Sequence, residues 1–253
     1  MTTARETLLI FRRAMRLSLR NPVWVVIGLV QPVLYLALFG PLLKSIAAAP
    51  GFPPGNAWQV FTPGLLVQLG IFGASFVGFG LIAEYRSGVI ERMRVTPASR
   101  SALLLGRVLR DVVVLVVQAT VLTVTAVAFG LRAPLAGVVL GIVVVGVLGA
   151  AFASLSYAAA LQLKSEDALA PLLNGLAVPL LLLSGILLPM SLAPAWLRYL
   201  SDANPLKWVV EAVRELFLGH VTSWVVVGGL GAAVALIALG IAVGTRTFRR
   251  QSA

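Results

Sequence analysis

The chain has 253 residues, of which 59% are hydrophobic and only 11% are charged, and its mean hydropathy is +0.99. A soluble domain carries roughly 25% charged residues, so this composition indicates a membrane protein. Lys and Arg outnumber Asp and Glu by 20 to 9; because the apolar runs are long, we interpret this excess as a topology signal rather than a nucleic-acid surface. The lack of cysteine excludes disulfides, Cys-ligated zinc and a cysteine nucleophile.

The N-terminal residues 4–20 have the pattern of an amphipathic helix. On a helical wheel the arginines share one arc, and mostly apolar side chains fill the rest. Such a helix lies in the headgroup plane of a bilayer, so we predict an interfacial helix that ends at Asn21-Pro22. A plain cytoplasmic extension and a nucleic-acid arm are the alternatives.

Six apolar segments are long enough to cross a bilayer, which takes ~20 residues. They are 23–43, 60–83, 111–131, 135–161, 168–190 and 224–244. Runs of this length predict helices, so the expected fold is an all-α membrane protein with one transmembrane domain over 1–253. An even number of spans puts both termini on one side, together with fifteen of the twenty Lys and Arg residues. The positive-inside rule therefore predicts cytoplasmic termini.

The largest predicted cytoplasmic loop, 84–110, carries charges of both signs. Thr96 and Pro97 have the pattern of an N-cap followed by Pro at the first helical position, which predicts a helix from Pro97 into span 3. On that helix Arg107 and Asp111 are spaced to pair. A topology signal would need only positive charge. The interleaved glutamates, the glycine and the capped proline favour a rigid surface that a partner grips.

The predicted outer segment, 191–223, contains a helix that is too short to span. Asn204 is the expected N-cap, Pro205 the first helical residue and Gly219 the residue after the end. About fourteen residues cover only about 21 Å, which predicts a helix at, or dipping into, the outer interface. Its charged face is expected to hold Lys207, Glu211, Arg214 and Glu215.

Catalytic and metal chemistry is poorly supported. His220 is the only histidine, so a two-His metal site is impossible, and a pair with Ser184 or Ser223 lacks any G-x-S-x-G context. No G-x-x-x-x-G-K-[ST] occurs, so we expect no nucleotide cofactor in this chain. We predict no catalytic and no metal site. A self-contained intramembrane enzyme or channel remains the alternative function.

Two spans carry features of a transport path. Span 2 has phenylalanines spaced on one face among glycines, and span 5 is interrupted by Pro171, Pro179 and Pro189. Interrupted helices often line cavities in transporters. The candidate path residues are Gln68, Phe72, Phe76, Asn174 and Ser184. Helix–helix contacts and lipid packing are the alternative roles.

The stretch "AEYRSGVIERMRVTPASRSALLLGRVLRD" resembles the cytoplasmic loop of type-2 ABC exporter permeases, through Glu84, Gly88, Glu91, Arg92 and Pro97 and a basic residue at 107. "SGILLPMSLAPAWLRYLSDANPLKWVVEAVRELFLG" is similar to the second marked region of that family. The closest resemblance is to daunorubicin-resistance-type permease subunits, and it covers nearly the whole chain.

The resemblance implies a permease subunit of an exporter. A separate ATPase, which binds ATP and Mg, would dock on a coupling helix at 88–96, and a second permease copy would complete the complex. Spans 2 and 5 would line the path, and spans 1 and 5 would form much of the dimer contact. The implied cargo is a drug-like or lipid-like amphiphile that leaves the cell across a bacterial plasma membrane. The implied coupling residues are Glu84, Arg86, Gly88, Glu91, Arg92, Arg94 and Pro97.

Overall fold

The computed structural model describes residues 3–46, 54–89, 99–187 and 189–250, and these form helices without any strand. The α-helices are α1 (Thr3–Arg20), α2 (Val23–Ile46), α3 (Ala57–Ser75), α4 (Val77–Arg86), α5 (Arg100–Ala128), α6 (Leu135–Leu163), α7 (Glu166–Leu183), α8 (Ala195–Asp202), α9 (Pro205–Leu218) and α10 (Trp224–Arg250). A short 3-10 helix, Met190–Leu192, precedes α8.

Six stretches of helix in the described residues are long and apolar enough to cross a membrane. They are Val23–Leu42, Ala57–Arg86, Arg100–Ala128, Leu135–Leu163, Glu166–Leu183 and Trp224–Phe248. Each coincides with a predicted span, so the six-span prediction is confirmed. The second span consists of two helices, α3 and α4.

Helix α6 is the centre of the bundle and contacts α3, α4, α5, α7, α9 and α10. Small residues on α6 let its neighbours approach closely. A Cβ at Gly137 would lie 1.8 Å from the carbonyl oxygen of Leu216 on α9. At Gly141 it would lie 2.8 Å from the ring of Phe217. On α10, a Cβ at Gly240 would lie 2.6 Å from the carbonyl oxygen of Ala151 on α6. These contacts join α9, α6 and α10 backbone against backbone.

The second span is interrupted at Phe76, and a serine of α6 repairs the interruption. The Gly78 N–H donates to the Ser156 hydroxyl at 3.0 Å, and the same hydroxyl donates to the Ser75 carbonyl oxygen. An unsatisfied backbone group inside a bilayer costs several kcal/mol. Ser156 thus allows α3 and α4 to be separate helices within one span.

Two helix boundaries differ from the sequence prediction. Helix α5 begins at Arg100 rather than at Pro97, because Ser99 has an extended backbone and its hydroxyl accepts the Ala102 N–H. Thr96 and Pro97 lie outside the described residues. Helix α7 ends at Leu183 rather than near residue 190. A turn follows Leu183, in which the Ser184 hydroxyl donates to the Leu181 carbonyl oxygen.

The short helix α9 has the predicted boundaries and an unexpected degree of burial. The Asn204 side chain accepts the Leu206 N–H at 3.0 Å, and Gly219 ends the helix with φ of +95°. Its apolar face is buried against α10, α6 and α3. Ion pairs of Lys207 with Asp202 and Glu211 mark its opposite, more polar face.

Candidate coupling site and transport path

An ion pair joins α4 to α5 where the charged loop leaves the bundle, which we call the loop end. Arg107 Nη2 donates to Glu84 Oε2 at 2.5 Å. The Arg107 side chain is only 9% exposed, whereas that of Glu84 is 32% exposed. The last turn of α4 and the second turn of α5 are therefore held together across residues 87–99.

A buried carboxylate extends this connection to α6. Asp111 is buried, its Oδ2 accepts the Tyr157 hydroxyl at 2.5 Å, and its Oδ1 lies 3.0 Å from Arg110 Nη1. A charge away from water requires such partners. The sequence predicted that Arg107 pairs with Asp111. In the structure Asp111 instead contacts Arg110 and Tyr157, and Arg107 pairs with Glu84. The reason is that α6 packs against both α4 and α5, so polar groups of α5 can reach Tyr157 on α6 and Glu84 on α4.

The far side of the loop is held by the N-terminal helix. The Ser99 N–H donates to Glu6 Oε2 at 2.9 Å, which lowers the pKa of Glu6 because the bond stabilises the carboxylate. A Cβ at Gly106 of α5 would lie 2.8 Å from both Ile10 Cβ and the Thr7 carbonyl oxygen. Helix α1 therefore lies directly against the first turns of α5.

Arg86 and Gly88 stand where α4 ends. Arg86 Nη1 lies 3.4 Å from Glu166 Oε1 at the start of α7, and because both side chains are exposed this pair contributes little stability. Gly88 has φ of +70° and open space around it, which suits a glycine after a helix end. The remaining predicted coupling residues, Glu91, Arg92, Arg94 and Pro97, lie outside the described residues. The loop therefore has both of its ends fixed on the bundle.

The five candidate path residues differ in their exposure. Gln68 and Ser184 are buried, and Asn174 is exposed on α7. Phe72 and Phe76 are half-buried with ring centroids 6.1 Å apart, and Phe79 continues the row at 5.9 Å from Phe76. Only the two phenylalanines are brought together. Gln68 Oε1 is buried and has no hydrogen-bond partner within the described part of the chain, which sets it apart from Ser184, whose hydroxyl donates to Leu181.

Arg214 was assigned to the charged face of α9, but it points into the protein. Its Nε donates to the Val60 carbonyl oxygen at 3.0 Å and its Nη2 to the Gly185 carbonyl oxygen at 2.7 Å. One guanidinium thus joins α9 to the start of span 2 and to the turn after α7. The helical wheel gives no signal for this burial, because Arg214 follows Lys207 by two turns and shares its side of the helix.

The arrangement of His220 does not resemble a hydrolytic site. His220 Nδ1 lies 2.8 Å from Glu215 Oε2. Of the two candidate nucleophiles, Ser184 donates to the Leu181 carbonyl oxygen and Ser223 accepts the Val226 N–H at 3.3 Å. Among the described residues there is also no group of three or more His, Asp or Glu side chains that could hold a metal ion.

The comparisons with known proteins agree with an all-helical membrane protein. A family model described as "ABC-2 type transporter" matches residues 5–218, from α1 through α9. The chain belongs to the ABC-2 type transporter family. It is a multi-pass membrane protein of a transport family, and permeases of this family generally work with an ATPase subunit. The resemblance inferred from the sequence is confirmed.

Two kinds of curated relative support this assignment. The chain is 26% identical over 254 residues to the "Daunorubicin resistance ABC transporter permease protein DrrB1" of Streptomyces coeruleorubidus, which covers 100% of this chain and 89% of that protein. It is 28% identical over 207 residues to the "Putative transport permease ycf38" of Cyanophora paradoxa, covering 81% of this chain and 71% of that protein. The protein of the same name from Pyropia yezoensis is 28% identical over 207 residues, covering 78% and 69%.

Proposed function

We propose that this chain is the permease subunit of an ATP-driven exporter and that a separate ATPase subunit docks on residues 88–96. The observation that carries the proposal is the Glu84–Arg107 ion pair, which ties both sides of the charged loop to the membrane domain. A force applied to the loop reaches α4 and α5 together, because neither side of the loop can move alone without losing this pair.

The same cluster supplies a route from the loop into the bundle. Arg110 and Asp111 follow Arg107 on α5 by one turn, and the Tyr157 hydroxyl connects Asp111 to α6. Helix α6 touches most of the other helices. ATP binding and hydrolysis on the partner would thus reposition α4 and α5 against α6 and switch the path between its inward- and outward-facing states.

The cargo is a hydrophobic or amphiphilic molecule, drug-like or lipid-like, that moves out of the cell. Two features support this proposal: the apolar composition of the spans and the similarity to a permease named for daunorubicin resistance. The path lies between spans 2 and 5 and involves Gln68, Phe72, Phe76, Asn174 and Ser184. The free carbonyl oxygen of Gln68 is the group most suited to accept a hydrogen bond from a cargo.

The working assembly contains two permease copies and two ATPase subunits, and the ATPases hold ATP and Mg. The second copy is either the same chain or a relative, and it lies against spans 1 and 5. Helices α2 and α7 support this placement because they expose long apolar side chains, among them Leu34 and Leu38 on α2 and Leu176 and Leu182 on α7. Both termini and the loop end face the cytoplasm of a bacterium, following the excess of arginine there.

The test is co-expression of the tagged permease with the ATPase encoded beside its gene. We expect a complex that survives purification in detergent and whose ATPase activity differs from that of the ATPase alone. Neutralising the loop with E91Q/R92Q/R94Q is expected to release the ATPase, because its charges are the proposed contact.

The matched control is E215Q/R132Q/R198Q, which neutralises the same residue types at the opposite end of the bundle and leaves the complex intact. A permease that binds no ATPase in any nucleotide state contradicts the proposal and favours a self-contained enzyme or channel. A loop variant that retains the ATPase as well as the control does contradicts the docking site.

A further inference from the structure

Helix α1 uses one face to contact the protein. Thr7, Ile10 and Ala14 are half-buried, and Gly106 of α5 leaves room for the helix to approach. Glu6, the only acidic residue between 3 and 20, is bound to the Ser99 N–H on the same side. This face is therefore occupied by α5.

The opposite face is covered by arginine, and the one acidic residue of the helix, Glu6, is bound to Ser99 instead. Arg5, Arg12, Arg13, Arg16 and Arg20 are all exposed, and none of them takes part in the ion pairs of the described residues. An open groove runs between them, lined by Leu9, Arg12, Arg13, Arg16, Leu17 and Arg20. Several guanidinium groups thus point in one direction with unused donors.

Leucines interrupt the arginines and decide between the possible partners. Leu8, Leu9, Leu17 and Leu19 are 45%, 51%, 51% and 72% exposed. An acidic protein surface would complement the arginines but would leave the exposed leucines without an apolar contact. A phospholipid presents both a phosphodiester, which the guanidinium fork binds in a bidentate manner, and acyl chains next to it.

We propose that the arginine face of α1 binds the phosphodiester groups of anionic phospholipids, with the leucines inserted among the upper acyl carbons. The bound headgroups fix α1 at the bilayer surface. Since Glu6 holds Ser99, a fixed α1 also holds the end of the loop at the start of α5. The lipid binding does not depend on the proposed ATPase coupling; only its effect on the loop does.

The test measures lipid binding on the permease alone, without ATPase or cargo. Because the chain has no cysteine, A4C provides a single attachment point for an environment-sensitive fluorophore on the exposed start of α1. The detergent-solubilised protein is titrated with phosphatidylglycerol and, separately, with phosphatidylcholine. We expect a saturable change with phosphatidylglycerol only.

The arginine pair R12Q/R16Q is expected to weaken phosphatidylglycerol binding about tenfold or more, because each cation near an anionic surface contributes substantially. The matched control R132Q/R198Q, which removes two exposed arginines elsewhere, is expected to bind as the wild type does. If R12Q/R16Q does not fold, R13Q/R20Q changes the same face and gives the same test.

Three results would overturn the proposal. Equal responses to phosphatidylcholine and phosphatidylglycerol would mean that charge is not recognised. An unchanged affinity in both arginine pairs would place the lipid elsewhere. Loss of ATPase binding in R12Q/R16Q, with phosphatidylglycerol binding intact, would assign the face to the protein partner instead.

Discussion

At the loop end of the bundle, α4, α5 and α6 are joined by polar side chains, whereas at the opposite end α9 and α6 are joined by backbone contacts at glycines. Glu84, Arg107, Arg110, Asp111 and Tyr157 carry the first kind of connection. The Glu84 carboxylate is partly exposed, so water can replace Arg107 as its partner. A backbone that touches a glycine cannot slide without collision. We therefore expect α4 and α5 to move relative to α6 more readily than α9 does.

The largest expected effect comes from disrupting the close contact between α6 and α9. G137L would force a side chain into the Leu216 carbonyl, where even a Cβ would lie 1.8 Å from the oxygen. We expect a loss of about 3 kcal/mol or more of stability, seen as a lower thermal unfolding midpoint in detergent and a poor yield. The control is G231L on α10, where an added Cβ meets nothing within 4 Å. Equal midpoints for the two variants would show that the close α6–α9 contact is not needed.

The second prediction concerns the boundary between the two halves of span 2. S156A removes the hydroxyl that serves both the Gly78 N–H and the Ser75 carbonyl oxygen, and this is expected to cost about 2 kcal/mol. S154A is the control, because that buried hydroxyl donates only to Ala150 in its own helix. The comparison of thermal midpoints is the measurement. A larger loss in S154A would mean that the interruption at Phe76 needs no repair.

The third prediction separates stability from coupling at the loop end. E84Q keeps a hydrogen-bond acceptor for the buried Arg107 but loses the charge, so we expect a stability loss of no more than about 2 kcal/mol. Coupling free energies of 1–3 kcal/mol correspond to changes of about fivefold or more, and we expect the ATPase response to the permease to fall by that factor. E215Q removes the partner of the exposed His220 at the opposite end of the bundle and serves as the control. An E84Q permease that stimulates its ATPase normally would remove Glu84 from the coupling route.

The smallest expected effect is a dependence on pH at the contact of α1 with the loop. The lowered pKa of Glu6 means that its bond to Ser99 contributes above the ordinary pKa of 4.5 and is lost as the pH falls through the lowered value. We expect the hydrogen-exchange rate of the Ser99 amide to rise relative to the rates of neighbouring amides as the pH drops from 6 to 3. E6Q should abolish this dependence; a profile that E6Q leaves unchanged would point to another titrating group.

The sequence predicted the elements well where the signal is local. Six long apolar runs predicted six spans, and Asn204, Pro205 and Gly219 predicted both ends of α9. The start of α5 was misplaced because two capping patterns lie three residues apart. Both Thr96-Pro97 and Ser99 satisfy the local rule, and the bond from Ser99 to Glu6, 93 residues away, could not be read from the neighbouring residues.

The polar groups of the site were harder to predict than the helices. Asp111 was expected to pair with Arg107, but its partners are Arg110 on the same helix and Tyr157, which lies 46 residues away on α6. Arg214 binds carbonyls 154 and 29 residues away, for which the sequence carries no pattern. Such pairings are set by which helices are neighbours, and periodicity along one helix does not contain that information.

The interruption at Phe76 divides the second span into two helices that can change their angle to each other. The α4 segment has ten residues and is therefore about 15 Å long; its first turn is bound by the Ser156 hydroxyl, and its last turn carries Glu84, the partner of Arg107. A force on the end of α4 that carries Glu84 would tilt α4, while α3 stays packed against α9 at the opposite end of the bundle. Phe72, Phe76 and Phe79 lie on both sides of the interruption. A small displacement of the loop would therefore change the orientation of this row of rings inside the bilayer.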